Sequence, residues 1–439
     1  MNGDTALGLV ALDLLGLQYP DIVEMAGAAG EKMGIPAGNI IIHSIHTHSA
    51  PDTVGLWGGG PKGYKKKLKE GVAKCLADAS AALRPAEARF ASGRVEGRNI
   101  NRRHPDTKKA DETMAVMELA EPGGGTIATL VNFACHPVAL GADSRKITAD
   151  FIHYLRNRME ADRGGVSLYF SRDLGDANPP AVNEDVYDRA GGTFELAREL
   201  GEALAGDAAG LLENAAGGPV DIRMSAKELA VEVENPKFMQ LLKSGLMKRK
   251  VKNGAVLTAV AIVDLGPAQI LTFPGEALTG VGNDVAPLLP GPHRFMFGLT
   301  YDSIGYIVPQ REWDGSRYEE SVSVGPSLAP ALKKKVRGDC GGVVPRVETA
   351  SLHHPRQIHR RCNHGRVRLR EITGLHFTMK YFRKHFAHIG KICRAPTPSR
   401  AEGGTRNNQS DAGTRPARSP LRALPDRPKS SRTTLQALC

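Results

Sequence analysis

Short apolar runs of strand length alternate with longer amphipathic stretches of helical period through residues 1–336. That alternation restricts the chain to an α/β fold, a mixed β-sheet with flanking helices. Residues 6–15 and 39–45 read as buried strands with a helix over 21–33 between them. Leu68, Val72, Cys75, Ala79 and Leu83 recur at helical spacing and predict a helix over 63–83, with Lys65-Lys66-Lys67 on its solvated face. Runs at 115–119 and 126–133 flank Glu121-Pro122-Gly123-Gly124-Gly125, and runs at 255–265 and 268–273 flank Gly266-Pro267. Both pairs predict hairpins. Two further helices are expected over 150–161 and 194–212.

The chain of 439 residues is 41% hydrophobic and 24% charged, which excludes a collagen, a coiled coil and a wholly disordered protein. Its formal charge of +11 is unevenly placed. Residues 337–439 hold 21 Lys and Arg against 6 Asp and Glu, which leaves 37 basic and 41 acidic residues in 1–336, a net of −4. The basic balance therefore belongs to the tail, and no specific nucleic-acid partner is expected of the body. Residues 1–336 read as one domain. Residues 337–439, rich in Arg, Pro, Ser and His, read as a disordered basic arm or as the product of a shifted reading frame. A nucleic-acid appendage is poorly served by aromatics confined to Phe377, Tyr381, Phe382 and Phe386, and Cys340 and Cys362 lack the paired spacing of a zinc module. Cys75 and Cys135 of the body read as small buried hydrophobes. The run at 6–17 contains Asp13 and is shorter than the ~20 residues of a membrane helix. Neither a transmembrane segment nor a basic-then-apolar leader is expected, and localisation stays open.

Chemistry-bearing residues gather where apolar runs end. Ile40-Ile41-Ile42-His43-Ser44-Ile45-His46-Thr47-His48-Ser49-Ala50-Pro51 places two histidines at i and i+2 beyond a strand. They can converge on a metal or simply be polar residues of a corner. Leu130-Val131-Asn132-Phe133-Ala134-Cys135-His136-Pro137 repeats the arrangement with His136, Leu271-Thr272-Phe273-Pro274-Gly275-Glu276 adds a carboxylate, and the segment 298–306 carries Tyr301 and Tyr306. Such nitrogen and oxygen donors suit a hard or borderline cation such as Zn²⁺.

These segments, with Asn99-Ile100-Asn101-Arg102, Leu174-Gly175-Asp176-Ala177-Asn178-Pro179, Gly305-Tyr306-Ile307 and Arg317-Tyr318-Glu319, resemble the N-terminal catalytic domain of the neutral/alkaline, non-lysosomal ceramidases. They occur in that family's order over about residues 6–325. The resemblance implies a zinc-dependent hydrolase of an amide bond in an N-acyl, sphingolipid-like substrate, with His46, His136, Glu276 and Tyr306 as zinc ligands and a zinc-activated water as nucleophile. It places His48, Arg102 and Tyr318 against the scissile amide and its oxyanion, with His48, titrating near neutrality, passing a proton to the leaving amine. Asn178 stands where the family carries a catalytic serine; an amide cannot be deprotonated, but it can hydrogen-bond a substrate or a water. Family members are often secreted.

Two further departures are the absence of the family domain's first strand and a tail where full ceramidases carry a β-sandwich. Alternative readings are an inactive relic or damaged gene product, and an amidohydrolase-type metallohydrolase on a parallel barrel. Oligomeric state is not legible.

Overall fold

Gly8–Leu12 and Ile40–Ser44 are buried at every position and pair in parallel, Gly8 opposite Ile40 through Leu12 opposite Ser44. Parallel neighbours need a crossover, and helix Tyr19–Met33 supplies it. Its first turn contains Pro20, and it stops at Gly34, whose left-handed φ of 68° lets its N–H reach the Gly30 carbonyl. Tyr19, Ile22, Met25, Ala26 and Ala29 form its buried stripe. Helix Tyr64–Ala81 packs beside it. Part of its lysine run is paired rather than wholly solvated: Lys65 Nζ lies 2.5 Å from Asp21 and Lys69 Nζ 2.6 Å from Glu24.

The structure, a computed structural model, describes residues 5–107, 110–141, 144–180, 192–218, 220–247 and 249–340. The tail reading for 341–439 lies outside the described residues, while 337–340 complete helix Leu328–Cys340.

Both expected hairpins form. Thr113–Ala120 and Thr126–Phe133 are antiparallel neighbours in a five-stranded sheet of order Val166–Ser171, Thr126–Phe133, Thr113–Ala120, Glu87–Arg94, Gly217–Gly218. Ala255–Asp264 and Ala268–Thr272 are antiparallel neighbours in a four-stranded sheet that adds Arg223–Glu232 on one side and His293–Phe297, in parallel, on the other. The strands thus form separate mixed sheets, which overturns the parallel-barrel alternative. Helices Phe151–Arg163 and Phe194–Leu212 stand where the periodicity put them. Arg223–Glu232 was not legible as a strand. Its sequence, RMSAKELAVE, is built from good helix formers, and the ten-residue ladder to Ala255–Asp264 overrides that propensity.

His43 ties the first strand pair to both sheets. Its Nδ1–H donates to the Gly298 carbonyl at 2.7 Å, its Nε2 accepts from Ser171 N at 3.0 Å, and its ring stacks on Phe170, which packs on Phe297. Burial pushes its pKa down to about 3, so it is a neutral interior histidine. One hydrophobic core lies under the first strand pair and the five-stranded sheet. A second lies between the four-stranded sheet and helices Pro236–Lys243 and Leu328–Cys340. Cys135 is buried as expected, whereas Cys75 is only half-buried. No helix among the described residues is long and apolar enough to cross a membrane.

Candidate metal centre

The strand Ile40–Ser44 ends two residues before His46, so strand alternation is not what sets the two imidazoles. The chain instead turns through a left-handed conformation at His46, φ 72°, rare for a residue with a side chain and concentrated at functional sites. Two backbone bonds enforce the turn, Ile45 N to Leu12 O at 3.0 Å and His46 N to Leu14 O at 2.9 Å. It sets the rings of His46 and His48 edge to face, with centroids 5.0 Å apart. His136 likewise lies three residues beyond its strand, and its ring is 5.1 Å from His46 and 6.0 Å from His48. Each of the three imidazoles offers a ring nitrogen within 4.8 Å of the others.

Glu276 joins them. It opens the short strand Glu276–Ala277, which pairs in parallel with Tyr306–Ile307 so that Glu276 stands opposite Tyr306. Its Oε2 is 3.2 Å from His46 Nε2 and 3.3 Å from His136 Nε2. Burial alone would raise the Glu276 carboxyl, but His46 and His136 beside it hold it well below the ordinary range, so it is ionised. Burial lowers His136 to about 4. Burial also holds His48 well below its ordinary value, reinforced by the neighbouring imidazoles. The expectation that His48 titrates near neutrality therefore fails, because the sequence could not show the packing and the two imidazoles that surround its half-buried ring.

The far ring nitrogens are already spoken for. His46 Nδ1 lies 2.7 Å from the Leu15 carbonyl and His136 Nδ1 3.1 Å from that of Ala177, which fixes both rings and leaves their Nε2 atoms facing the carboxylate. Oriented imidazoles around an ionised carboxylate are a donor set that fits a borderline divalent cation such as Zn²⁺.

An apolar pocket reaches this cluster. Val54, Leu56, Trp57, Phe238, Leu241 and Met247 supply walls, and His46, His48, Glu276, Tyr306 and Tyr318 line the same space. Tyr306 and Tyr318 meet with ring centroids 5.8 Å apart, and the Arg102 guanidinium sits 5.4 Å from the centre of the Tyr306 ring. Tyr301, the other tyrosine of its segment, turns away and donates its hydroxyl to the Gly38 carbonyl at 3.1 Å.

The partners that hold Arg102 were missed in the sequence. Arg102 Nε and Nη2 lie 3.0 and 2.9 Å from Glu319 Oε1, while Arg103 reaches Glu319 at 3.3 Å and Glu320 at 3.4 Å. The available signal was adjacency, since Glu319 follows Tyr318 directly. Asn178 is wholly buried in the short pair Ile100–Asn101 with Ala177–Asn178, one residue beyond the carbonyl that orients His136. Neither its amide oxygen nor its amide nitrogen has a hydrogen-bond partner among the described residues. Asp176 anchors the same turn by accepting from Thr279 N, Thr279 Oγ1 and Asn101 Nδ2, each at 2.8 Å.

Gly175 is required by close approach. A Cβ there would fall 2.6 Å from the Glu276 carbonyl oxygen and 2.8 Å from that of Ala277. Gly175→Ala should push the Glu276 strand outward, with the ~1–3 kcal/mol cost of overpacking in urea unfolding. A variant as stable as the parent would show that the turn yields without disturbing Glu276.

No known family profile and no curated protein matches the chain. Solved structures do. The neutral ceramidase from Pseudomonas aeruginosa aligns over 79% of this chain and 68% of its own, with a TM-score of 0.61 and 16% identity. A ceramidase complexed with C2 aligns over 76% of this chain and 67% of its own, with a TM-score of 0.62 and 15% identity. The described part of this chain therefore has the fold of the neutral ceramidases.

Proposed function

We propose that the chain is a zinc-dependent, ceramidase-like hydrolase that cleaves an amide bond in an N-acyl substrate of lipid character. The observation that carries this reading is the convergence of His46, His136 and ionised Glu276 at an apolar pocket, beside Tyr306. These four residues would hold the metal. Bound Zn²⁺ supplies Lewis acidity, which polarises a carbonyl oxygen and makes water nucleophilic near neutral pH.

The remaining work falls to the protein. The apolar walls exclude bulk water and take up the hydrocarbon part of the substrate, which strengthens every polar interaction inside. Arg102, fixed by Glu319 and the Tyr306 ring, and Tyr318 present donors to the carbonyl oxygen as it becomes an oxyanion. His48, kept neutral by burial, accepts the proton released by the attacking water. Its depressed basicity then favours passing that proton to the more basic leaving amine. Asn178 has a buried amide whose unmet hydrogen-bonding capacity is costly unless a ligand satisfies it, and we assign it to hydrogen-bonding the substrate.

The test is metal analysis of the purified chain followed by turnover of N-acyl amides read by amine release. The expected result is about one zinc per chain and hydrolysis lost on chelation and restored by zinc. Folded protein that binds no metal, or turnover indifferent to chelation, would overturn the assignment. Asn178→Ala should keep the metal and lower kcat by roughly 10²-fold, the scale of a lost hydrogen-bonding group at a reacting centre.

A further inference from the structure

Two segments contribute walls to the pocket, residues 53–69 through Val54, Leu56 and Trp57, and residues 235–255 through Phe238, Leu241 and Met247. They touch directly: a Cβ on Gly55 would come within 2.7 Å of the Leu246 carbonyl oxygen. Residues 1–336 hold 37 basic and 41 acidic side chains, and these two segments contain 11 of the basic ones and none of the acidic ones, with Lys65, Lys66, Lys69 and Arg249 paired to Asp21, Glu70, Glu24 and Asp302 of flanking or distant segments. Lys62, Lys66 and Lys67 on the first and Lys243, Lys250 and Lys252 on the second are exposed.

Apolar side chains stand out among these lysines. Leu246, Val251 and Leu257, at 43%, 38% and 42% exposure, are half of the exposed large hydrophobic residues among the described ones. The most exposed of all is Ile147, at 72%, directly after Arg145 and Lys146. Its loop is tied to the metal centre, because Thr47 Oγ1 donates to the Thr148 carbonyl at 2.8 Å and Thr148 N to the Ser49 carbonyl at 3.0 Å.

We propose that this rim docks the protein on an anionic lipid bilayer, with Leu246, Val251 and Ile147 entering the headgroup boundary and the lysines meeting lipid phosphates. Aliphatic tips between cations are the chemistry of an interface that is charged outside and hydrocarbon within. A duplex nucleic acid offers the charge without the hydrocarbon, and a second copy of the same rim would bring like charges together. Docking here sets the pocket mouth against the membrane. The inference does not depend on the metal assignment, since binding is read without turnover.

The test uses the full chain and vesicles of phosphatidylcholine alone or mixed with phosphatidylglycerol. Co-sedimentation should require the anionic lipid and weaken with salt. Lys250→Glu with Lys252→Glu should lower affinity by roughly 30-fold or more, at about one surface lysine's worth of attraction each. Leu246→Ser with Val251→Ser should also weaken it. In a Trp313→Phe background, Trp57 fluorescence should be quenched by brominated acyl chains. Undiminished binding by both double variants would assign attachment to the basic tail and overturn the proposal. So would the absence of Trp57 quenching, or loss of duplex DNA binding in the charge variant with no vesicle binding by the parent.

Discussion

His46→Ala or His136→Ala should abolish hydrolysis and strip the chain of zinc while leaving a cooperative unfolding transition. Each imidazole lies 3.2–3.3 Å from Glu276 and is oriented by a backbone carbonyl, so either deletion removes a ligand and a partner of the buried carboxylate. Loss of a second-sphere partner alone typically costs 10–100-fold in metal affinity, and loss of a ligand should exceed that. The measurements are zinc stoichiometry after dialysis and amine release at saturating substrate. Either variant retaining both zinc and turnover would show that the chemistry happens elsewhere. Glu276→Gln tests the same point more gently. It keeps the shape and removes the negative charge that His46 and His136 share, so zinc should bind more weakly than in the parent.

Glu319→Ala should have the largest effect on stability, about 3–5 kcal/mol in urea unfolding, because it leaves two buried guanidinium groups short of their counter-charge. The side chains of Arg102, Arg103 and Glu319 are only 6%, 3% and 7% exposed, so solvent offers little compensation. Turnover should fall further than stability explains, since Arg102 loses the carboxylate that holds its Nε and Nη2. Glu319→Gln should recover part of the stability through hydrogen bonding and less of the activity. If Glu319→Ala unfolds like the parent, the network is not what positions Arg102.

Much of the fold was legible because local pattern and tertiary role agree in it. The buried pair Gly8–Leu12 and Ile40–Ser44, the helix between them and both hairpins follow from apolar runs and turn residues alone. Arg223–Glu232 shows where that agreement fails, because its partner strand rather than its own composition makes it extended. The candidate site divides the same way. His46, His48, His136, Glu276 and Tyr306 announce themselves as polar groups where apolar runs stop; the structure sets His136 against the others, of which His46, His48, Glu276 and Tyr306 line one pocket. Glu319 and Asp176 gave no comparable signal, since their partners lie far away in the chain, Arg102 for one and Thr279 for the other.

The sequence by itself determined which residues are available for chemistry and in what order the elements come, because hydrophobic period and turn chemistry are local properties. Only the tertiary structure decided that His46 reaches the cluster through a left-handed turn rather than strand alternation, that burial strips His48 of its neutral-pH titration, and that Leu246 meets Gly55. Each of those depends on segments far apart in the chain packing against one another, and on the water that packing removes.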